Sequence, residues 1–235
     1  STARNSPAYL NIAGALNINV TGRNNRNNRA SGIHQDLTKN AEYRLRFADR
    51  AHSALFNNGP LSSTGATAIW RRRSDEMDDA IVAESARWGD YRRDVQSAGG
   101  WQKSNYELYT KDDQYLATQE YIIETHLQQR PAILLDQLQA RNLYPSVAAP
   151  VYSQTGNSLT IENPNGAGSI FYTTDGSDPR DPSASTYSNA ITLAASATYK
   201  SRVLKNGVWS ALQLADIITG APANATNLVM LSLIH

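Results

Sequence analysis

The stretch Ser169-Ile-Phe-Tyr-Thr-Thr-Asp-Gly-Ser-Asp-Pro179 decides the fold of the second half of this chain. Residues 170–174 are all β-branched or aromatic, and these are the residue types that favour a strand. Asp175-Gly176 then ends the strand, because Asp hydrogen-bonds to its own backbone and Gly accepts positive φ. A strand that stops at a tight turn is typical of an antiparallel sheet, so we predict that this part of the chain is all β.

The same alternation of short strands and turns extends to both sides of that stretch. Residues 159–161 form a strand that ends at a Pro-Asn-Gly turn. Residues 198–204 run into Asn206-Gly207, and the chain continues through Val208-Trp209, which is the pattern of a two-residue hairpin. Turns at this spacing predict a small all-β sandwich of about seventy residues over 147–220.

The residues before this sandwich follow a helical period instead. Tyr43, Phe47, Ala51 and Leu55 recur every four residues, and the run ends at Asn57-Asn-Gly-Pro60, a strong helix stop. Further helices are predicted over 67–88, 116–127 and 131–142, with Pro131 at the first helical position of the last one. The predicted fold class is therefore α+β and multidomain, with a mainly helical N-terminal segment followed by the small all-β sandwich.

Two linkers divide the chain into three predicted parts. Residues 144–150 hold two prolines and small residues, and 221–225 form a second segment of this kind. We predict a helical domain over 1–146, the sandwich over 147–220, and over 221–235 a linker with the first strand of a truncated following domain. The chain starts without an initiating Met and ends in a strand-like apolar run, so we expect it to be a piece of a larger protein.

The composition excludes several classes of function. Lys and Arg number 22 against 21 Asp and Glu, so no net charge draws the chain to nucleic acid, and we expect no nucleic-acid partner. No cysteine is present, which excludes disulfides, thiol catalysis and Cys-based metal sites. No apolar run approaches the ~20 residues that span a bilayer, so we expect no membrane span.

Two clusters of charged residues are candidate binding sites. Asp175, Asp178 and Asp181 place three carboxylates in one short loop, and oxygen-rich loops of this kind can hold Ca²⁺. Asp-Gly and Asp-Pro are also what tight turns require, and we favour the turn. The side chains of Arg23, Arg26 and Arg29 could clamp a phosphate or an acidic partner, although a solvated connection is favoured for this segment.

Other charged residues suggest structural roles more than catalysis. Glu84, Arg87 and Asp90 lie at a helical spacing of three, where they could form an acid/base pair tuned by the arginine. An ion-pair network is the favoured interpretation. Asp49 and Arg50, beside the apolar face of the first predicted helix, invite the same structural interpretation. We predict no catalytic residue and no bound cofactor in this chain.

Four aromatic residues of the predicted sandwich could stack on sugar rings. They are Tyr172, Tyr187, Tyr199 and Trp209. Alternating aromatic residues in strands are usually core, so carbohydrate contact is kept as the lesser interpretation.

Some stretches resemble known families. Residues 40–50, 56–61 and 81–90 resemble the C-terminal part of the CotH-type, spore-coat kinase-like family. Ile170-Phe-Tyr-Thr-Thr-Asp-Gly-Ser-Asp-Pro179 resembles the signature of the chitobiase C-terminal, or fibronectin-type-III-associated, β-module. Residues 227–229 resemble the first strand of a lamin-tail domain, which often follows in large secreted bacterial proteins.

The resemblance implies what the chain lacks as well as what it holds. Active members of the kinase-like family resemble atypical kinases, whose ATP-binding lysine and metal-binding aspartates lie upstream of this helical region. ATP and Mg²⁺ would then belong to the parent protein. No Gly-rich phosphate loop with its lysine, and no His-Arg-Asp or Asp-Phe-Gly signature, occurs in this sequence.

The sequence therefore predicts a non-catalytic piece of an exported, multimodular bacterial surface protein, with a spacer or adhesion role. Its expected partners are the other domains of the parent chain and a cell-surface protein or polysaccharide. The extracellular or cell-surface location rests on the resemblance. Two alternatives stay open: part of an active atypical kinase that phosphorylates surface or coat proteins, or a carbohydrate-binding accessory module.

Overall fold

The computed structural model describes residues 16–21, 30–91 and 108–219. The chain divides into two compact units, one made of residues 1–18 and 63–133 and the other of residues 19–62 and 134–235. In chain order the α-helices are α1 (Ala30–Leu37), α2 (Ala41–Leu55), α3 (Ser63–Trp88), α4 (Leu116–Tyr121) and α5 (Leu127–Ala140), and π-helical turns span Lys111–Tyr115 and Ile122–His126. The strands are β1 (Val151–Thr155), β2 (Ser158–Glu162), β3 (Ser169–Thr173), β4 (Ser185–Thr186), β5 (Ile191–Thr192), β6 (Ala197–Lys205), β7 (Val208–Trp209) and β8 (Gln213–Ile217).

Polar contacts join α3, which buries none of its residues, to the helical run that follows it in the first unit. Trp70 Nε1 donates to Gln119 Oε1 at 2.5 Å. Lys111 Nζ lies 2.6 Å from Asp78 Oδ2. No described helix is both long enough and apolar enough to cross a membrane.

The predicted helix from Tyr43 to Leu55 is confirmed as α2. Asn40 caps its start, because the Asn40 side chain accepts a hydrogen bond from the backbone N–H of Tyr43. The helix stops where Asn57 and Asn58 adopt φ values of 52° and 60°. Asn is one of the few residues that tolerate this left-handed conformation, so the Asn-Asn-Gly run ends the helix as predicted.

Pro131 departs from its predicted place at a helix start. It lies inside α5, in a helical run that continues from Lys111 to Ala140 through the two π-helical turns. Proline removes one backbone donor from a helix, and π-helical turns change the hydrogen-bonding register. The sequence predicted two separate helices here because it gives no sign of such turns.

Two antiparallel sheets form the sandwich. One has the order β1-β2-β5, and the other has the order β4-β3-β6-β7, with β8 also paired to β6. Leu204 pairs with Trp209, and Asn206 and Gly207 have φ values of 51° and 77°, so the predicted two-residue hairpin is confirmed. The α+β fold class, helices followed by a small all-β sandwich, is confirmed.

The second unit contains two apolar clusters. The first lies between the two sheets and includes Leu159, Ile161, Ile170, Tyr199, Val203 and Ile217. The second joins Ala48 and Leu55 of α2 to Leu138 of α5, Tyr144 of the linker and Ala211 of the sandwich. Helix α2 therefore shares a core with the sandwich, although more than a hundred residues separate them in sequence.

Candidate functional site

Arg202 is the centre of the most highly organised polar site of the second unit. It lies in the middle of β6 with only 1% of its surface exposed. Nη1 and Nη2 donate to the two carboxylate oxygens of Asp49 in α2, both at 2.8 Å. Nη1 also donates to Ser210 O at 2.9 Å, and Nε and Nη2 donate to Asp178 at 3.1 and 3.2 Å. All five N–H groups of the guanidinium are therefore used.

The site continues from Asp178 to α2 through a second arginine. Arg180 donates to both oxygens of Glu42, at 2.7 and 3.0 Å. Its Nη2 also lies 3.0 Å from Asp178 Oδ2. We call Glu42, Asp49, Asp178, Arg180 and Arg202 the ion-pair network. The network joins α2 to β6 through Asp49 and Arg202, and it joins α2 to the loop after β3 through Glu42 and Arg180.

The network changes the pKa values of Glu42, Asp178 and Arg202. Hydrogen bonds from Arg180 and Arg46 lower the pKa of Glu42 from 4.5 to about 2. Partial burial alone would raise the pKa of Asp178, but hydrogen bonds from Arg180 and Arg202 hold it well below its usual range. Burial alone would lower the pKa of Arg202, and the bonds to Asp49 and Asp178 instead raise it. The charged forms are therefore stable over a wide range of pH.

A second buried polar contact joins the same elements. His52 of α2 is 5% exposed, and its Nε2 lies 2.8 Å from Gln213 Oε1 of β8. Because an amide oxygen only accepts, Nε2 carries the proton, and Nδ1 accepts from the hydroxyl of Tyr144 at 2.7 Å. Burial lowers the pKa of His52, while the hydrogen bond to Gln213 opposes this effect. The neutral imidazole is the form that fits this place.

The three carboxylates predicted as a candidate Ca²⁺ site have different surroundings. Asp175 Oδ1 accepts from Ser177 N at 2.9 Å and from Ser177 Oγ at 2.6 Å, which is a local turn. Asp178 belongs to the ion-pair network, and the backbone N–H of Asp181 donates to the carbonyl of Asp178 at 2.9 Å. Among the described residues, no group of three or more His, Asp or Glu side chains gathers to hold a metal ion. A metal site here stays a prediction.

Of the other predicted charged sites, one lies outside the described residues and the other is on the exposed end of α3. Arg23, Arg26 and Arg29 lie outside the described residues. Glu84, Arg87 and Asp90 are all exposed at the end of α3 or just beyond it. The guanidinium of Arg87 lies over the ring of Trp88, 5.0 Å from its centroid. An acid/base role for these three residues has no structural support here.

Of the four aromatic residues predicted as core or as a sugar platform, three belong to the inter-sheet core and one lines a groove. Tyr199 is buried between the sheets, and Tyr172 and Tyr187 pack against the same cluster. Tyr172 and Tyr199 stack with their ring centroids 6.2 Å apart. Trp209 instead lines a groove of about 440 Å³ together with Arg44 and other side chains of the second unit. This tryptophan is the member of the set that faces a groove.

Sequence reasoning missed Arg202, His52 and Gln213 as site residues. The sequence predicts a structural role for Asp49 but does not identify Arg202 as its partner. One signal for Arg202 exists: it stands between Ser201 and Val203, in a strand with turns at both ends. Nothing in the sequence links that arginine to a helix 153 residues earlier.

Comparison with known families assigns part of the chain. Residues 147–211 match the family model described as the Chitobiase/beta-hexosaminidase C-terminal domain. This part is a β-module of the kind associated with carbohydrate-active enzymes, and it fits a non-catalytic accessory module. The match includes Asp178, Arg180 and Arg202 but no residue of α2. A comparison of the whole chain with curated proteins gives no significant match.

Proposed function

We propose that the chain is a non-catalytic structural piece of an exported, multimodular bacterial surface protein, and that its second unit serves as a stiff spacer. The observation that carries this proposal is the buried, fully hydrogen-bonded Arg202, whose carboxylate partner Asp49 comes from a helix outside the family match. A buried ion pair needs good geometry to offset the loss of water. Once formed, the ion pair fixes the orientation in which α2 packs against the sandwich.

Several observations support a structural role over catalysis. The charged groups of the network are bonded to one another, so none is left as a general base or nucleophile. The family match fits a non-catalytic accessory module. The kinase-like resemblance of residues 40–50, 56–61 and 81–90 lies outside that match, and an extracellular or cell-surface location is proposed from the same resemblance.

Stiffness can be measured directly because the chain has no cysteine. Spin labels at Lys39→Cys and Ser188→Cys, both exposed positions in the second unit, report the distance between the start of α2 and the sandwich. We expect a narrow distance distribution by electron–electron double resonance. Asp49→Asn should broaden it, whereas Arg72→Gln, an exposed arginine of α3, should leave it unchanged. A broad distribution in the unaltered protein would contradict the spacer proposal.

A nucleotide titration distinguishes the kinase alternative from the structural role. Calorimetry of the whole chain with Mg²⁺ and ATP should give no heat if the piece is structural, while circular dichroism shows that the protein is folded. Micromolar binding would reveal a nucleotide site in the chain. Arg23, Arg26 and Arg29 would then be the first residues to change.

Carbohydrate contact is a second candidate function, favoured by the position of Trp209. An aromatic side chain that lines a groove together with charged side chains such as Glu42 and Arg44 is suited to contact with a sugar ring. A glycan array with the whole chain should show binding that Trp209→Ala removes and that Tyr199→Phe, a change inside the core, retains. Absence of binding to any polysaccharide would end this candidate and leave the spacer role intact.

A further inference from the structure

The second unit also contains a cleft that is separate from the groove at Trp209. It encloses about 510 Å³ and lies beside α2, β6, β8 and the loop after β3. Leu212 and Leu214 contribute apolar surface. The remaining lining residues include four cationic side chains, Arg46, Arg50, Lys200 and Arg202, and two carboxylates, Asp49 and Asp178.

The positive charge of this cleft is only partly compensated. Both carboxylates are bonded to the guanidinium of Arg202. Arg46 has a partner in Glu42 at 3.0 Å. Four cations against two carboxylates give the lining a formal excess of two positive charges, and neither Arg50 nor Lys200 is paired with a carboxylate of the lining.

Two of the cations have hydrogen-bonding capacity to spare. Arg50 makes no hydrogen bond or ion pair with residues 16–21, 30–91 or 108–219. Lys200 Nζ donates to the carbonyl oxygen of Gly176. An ammonium group has three N–H donors and a guanidinium has five, so most of these donors are available to a ligand.

We infer that this cleft is a binding site for an oxyanion, held by Arg50 and Lys200. A guanidinium presents its donors in a planar fork that fits the paired oxygens of a carboxylate, sulfate or phosphate. Charge pairs are also stronger beside apolar surface such as that of Leu212 and Leu214 than in open water. The carboxylate of an acidic sugar and a free phosphate share this chemistry.

Arg202 lines the site but does not bind the anion. All of its donors are bonded to Asp49, Asp178 and the carbonyl oxygen of Ser210, so its side chain is held in one position. The site depends on α2 as well as on the sandwich, because Arg50 belongs to the helix and Lys200 to β6. The inference goes beyond the spacer role and does not depend on it.

The test is calorimetric titration of the whole chain at low ionic strength, with sodium phosphate, sodium glucuronate and neutral glucose in separate experiments. We expect millimolar or tighter binding of at least one anion and none of glucose. Arg50→Gln and Lys200→Gln should each weaken binding at least about fivefold, since each removes charge-assisted hydrogen bonds. Because Arg50 has no partner in the described structure, Arg50→Gln should keep the unaltered thermal midpoint.

Arg72→Gln is the matched control, since it removes one exposed arginine from α3. It should bind the anion as well as the unaltered protein does. Binding of glucuronate alone would identify the carboxylate of an acidic sugar as the ligand, and binding of phosphate alone would identify a phosphate group. The inference would be overturned if neither anion binds, or if Arg50→Gln and Arg72→Gln weaken binding equally.

Discussion

At the scale of single residues, the structure shows how an arginine is buried between a β-sheet and a helix. Arg202 is as buried as Leu159 and Ile161 of the sandwich core, yet its five donors all have acceptors. An unpaired buried cation is strongly unfavourable, because the charge has lost its water. Asp49 and Asp178 together remove that cost, and Asp49 comes from the helix.

Asp49→Asn should therefore destabilise the second unit. The change leaves Arg202 with one carboxylate in place of two, and we expect the free energy of unfolding to fall by about 2–3 kcal/mol. Urea denaturation with hydrogen exchange of the β6 and β8 peptides measures the change. Asp36→Asn, which breaks a pair with both side chains more than 80% exposed, should stay within about 0.5 kcal/mol of the unaltered protein. Equal effects of the two changes would contradict the role of the network.

His52 gives a second prediction at this scale. Its pKa lies below 6.5 in the folded state because of burial, so the unfolded chain takes up a proton first as pH falls. We expect the stability contributed by neutral His52 to be present above pH 6.5 and to be lost as pH falls through the folded pKa. Nuclear magnetic resonance titration of the ring, assigned with His52→Gln, measures that pKa directly. A value of 6.5 or higher would show that the imidazole is not buried as described.

At the scale of elements, α2 ends in a tight turn that brings the chain back over the last helical residues. Gly59 N donates to Phe56 O at 2.9 Å, and Leu61 N donates to Ala54 O at 2.8 Å, so the chain turns back over the last helical residues. A side chain at Gly59 would overlap the backbone oxygens of Ser53 and Ala54. The turn therefore needs a residue without a Cβ, for a reason of space.

Gly59→Ala should consequently lower the free energy of unfolding more than a substitution at a glycine that is needed only for its φ. We expect a loss of about 3 kcal/mol, because the backbone at the end of α2 must shift. Gly207→Ala is the comparison: its φ is +77° and no atom lies within 4 Å of the added Cβ, so about 1 kcal/mol is expected. Urea denaturation of the two variants checks the order, and a larger effect at Gly207 would contradict it.

At the scale of the whole molecule, the two units differ in how they are held together. In the first, α3 buries no residue, and exposed or partly buried polar contacts join it to the following helical run. In the second, two apolar clusters and the ion-pair network join elements that are distant in sequence. We therefore expect amide exchange to be slower in α2 and β6 than in α3.

The ion-pair network also predicts how the second unit responds to acid. The pKa of Glu42 is depressed to about 2, so its contribution is fully present above its ordinary value of 4.5 and is lost as pH falls towards 2. The pKa of Asp178 is also depressed, so its contribution is likewise lost as pH falls. The difference in Tm between the unaltered protein and Glu42→Gln should be largest above pH 4.5 and shrink towards pH 2. A difference that is constant over this range would show that the depressed pKa does not stabilise the fold.

Local elements were the predictable part of this protein. The four-residue period of Tyr43 to Leu55, the Asn-Asn-Gly stop, the Asn206-Gly207 hairpin and the strand that ends at Asp175-Gly176 all depend on residues close together in sequence. Such residues carry their own conformational preferences, so pattern and turn chemistry are enough to find them. The turn preferred for Asp175 follows from the same local bond to Ser177.

The tertiary structure alone decided which charges meet. Asp178 looked like a turn residue or a metal ligand in the sequence, and it became the partner of Arg180 and Arg202. Asp49 and Arg202 are 153 positions apart, and His52 and Gln213 are 161 apart. No residue's local preference encodes such a meeting, because it depends on how α2 packs beside the sandwich. The sequence by itself determined α2, the strands and the tight turns, whereas packing determined the continuous helical run through Pro131 and the meeting of distant charges.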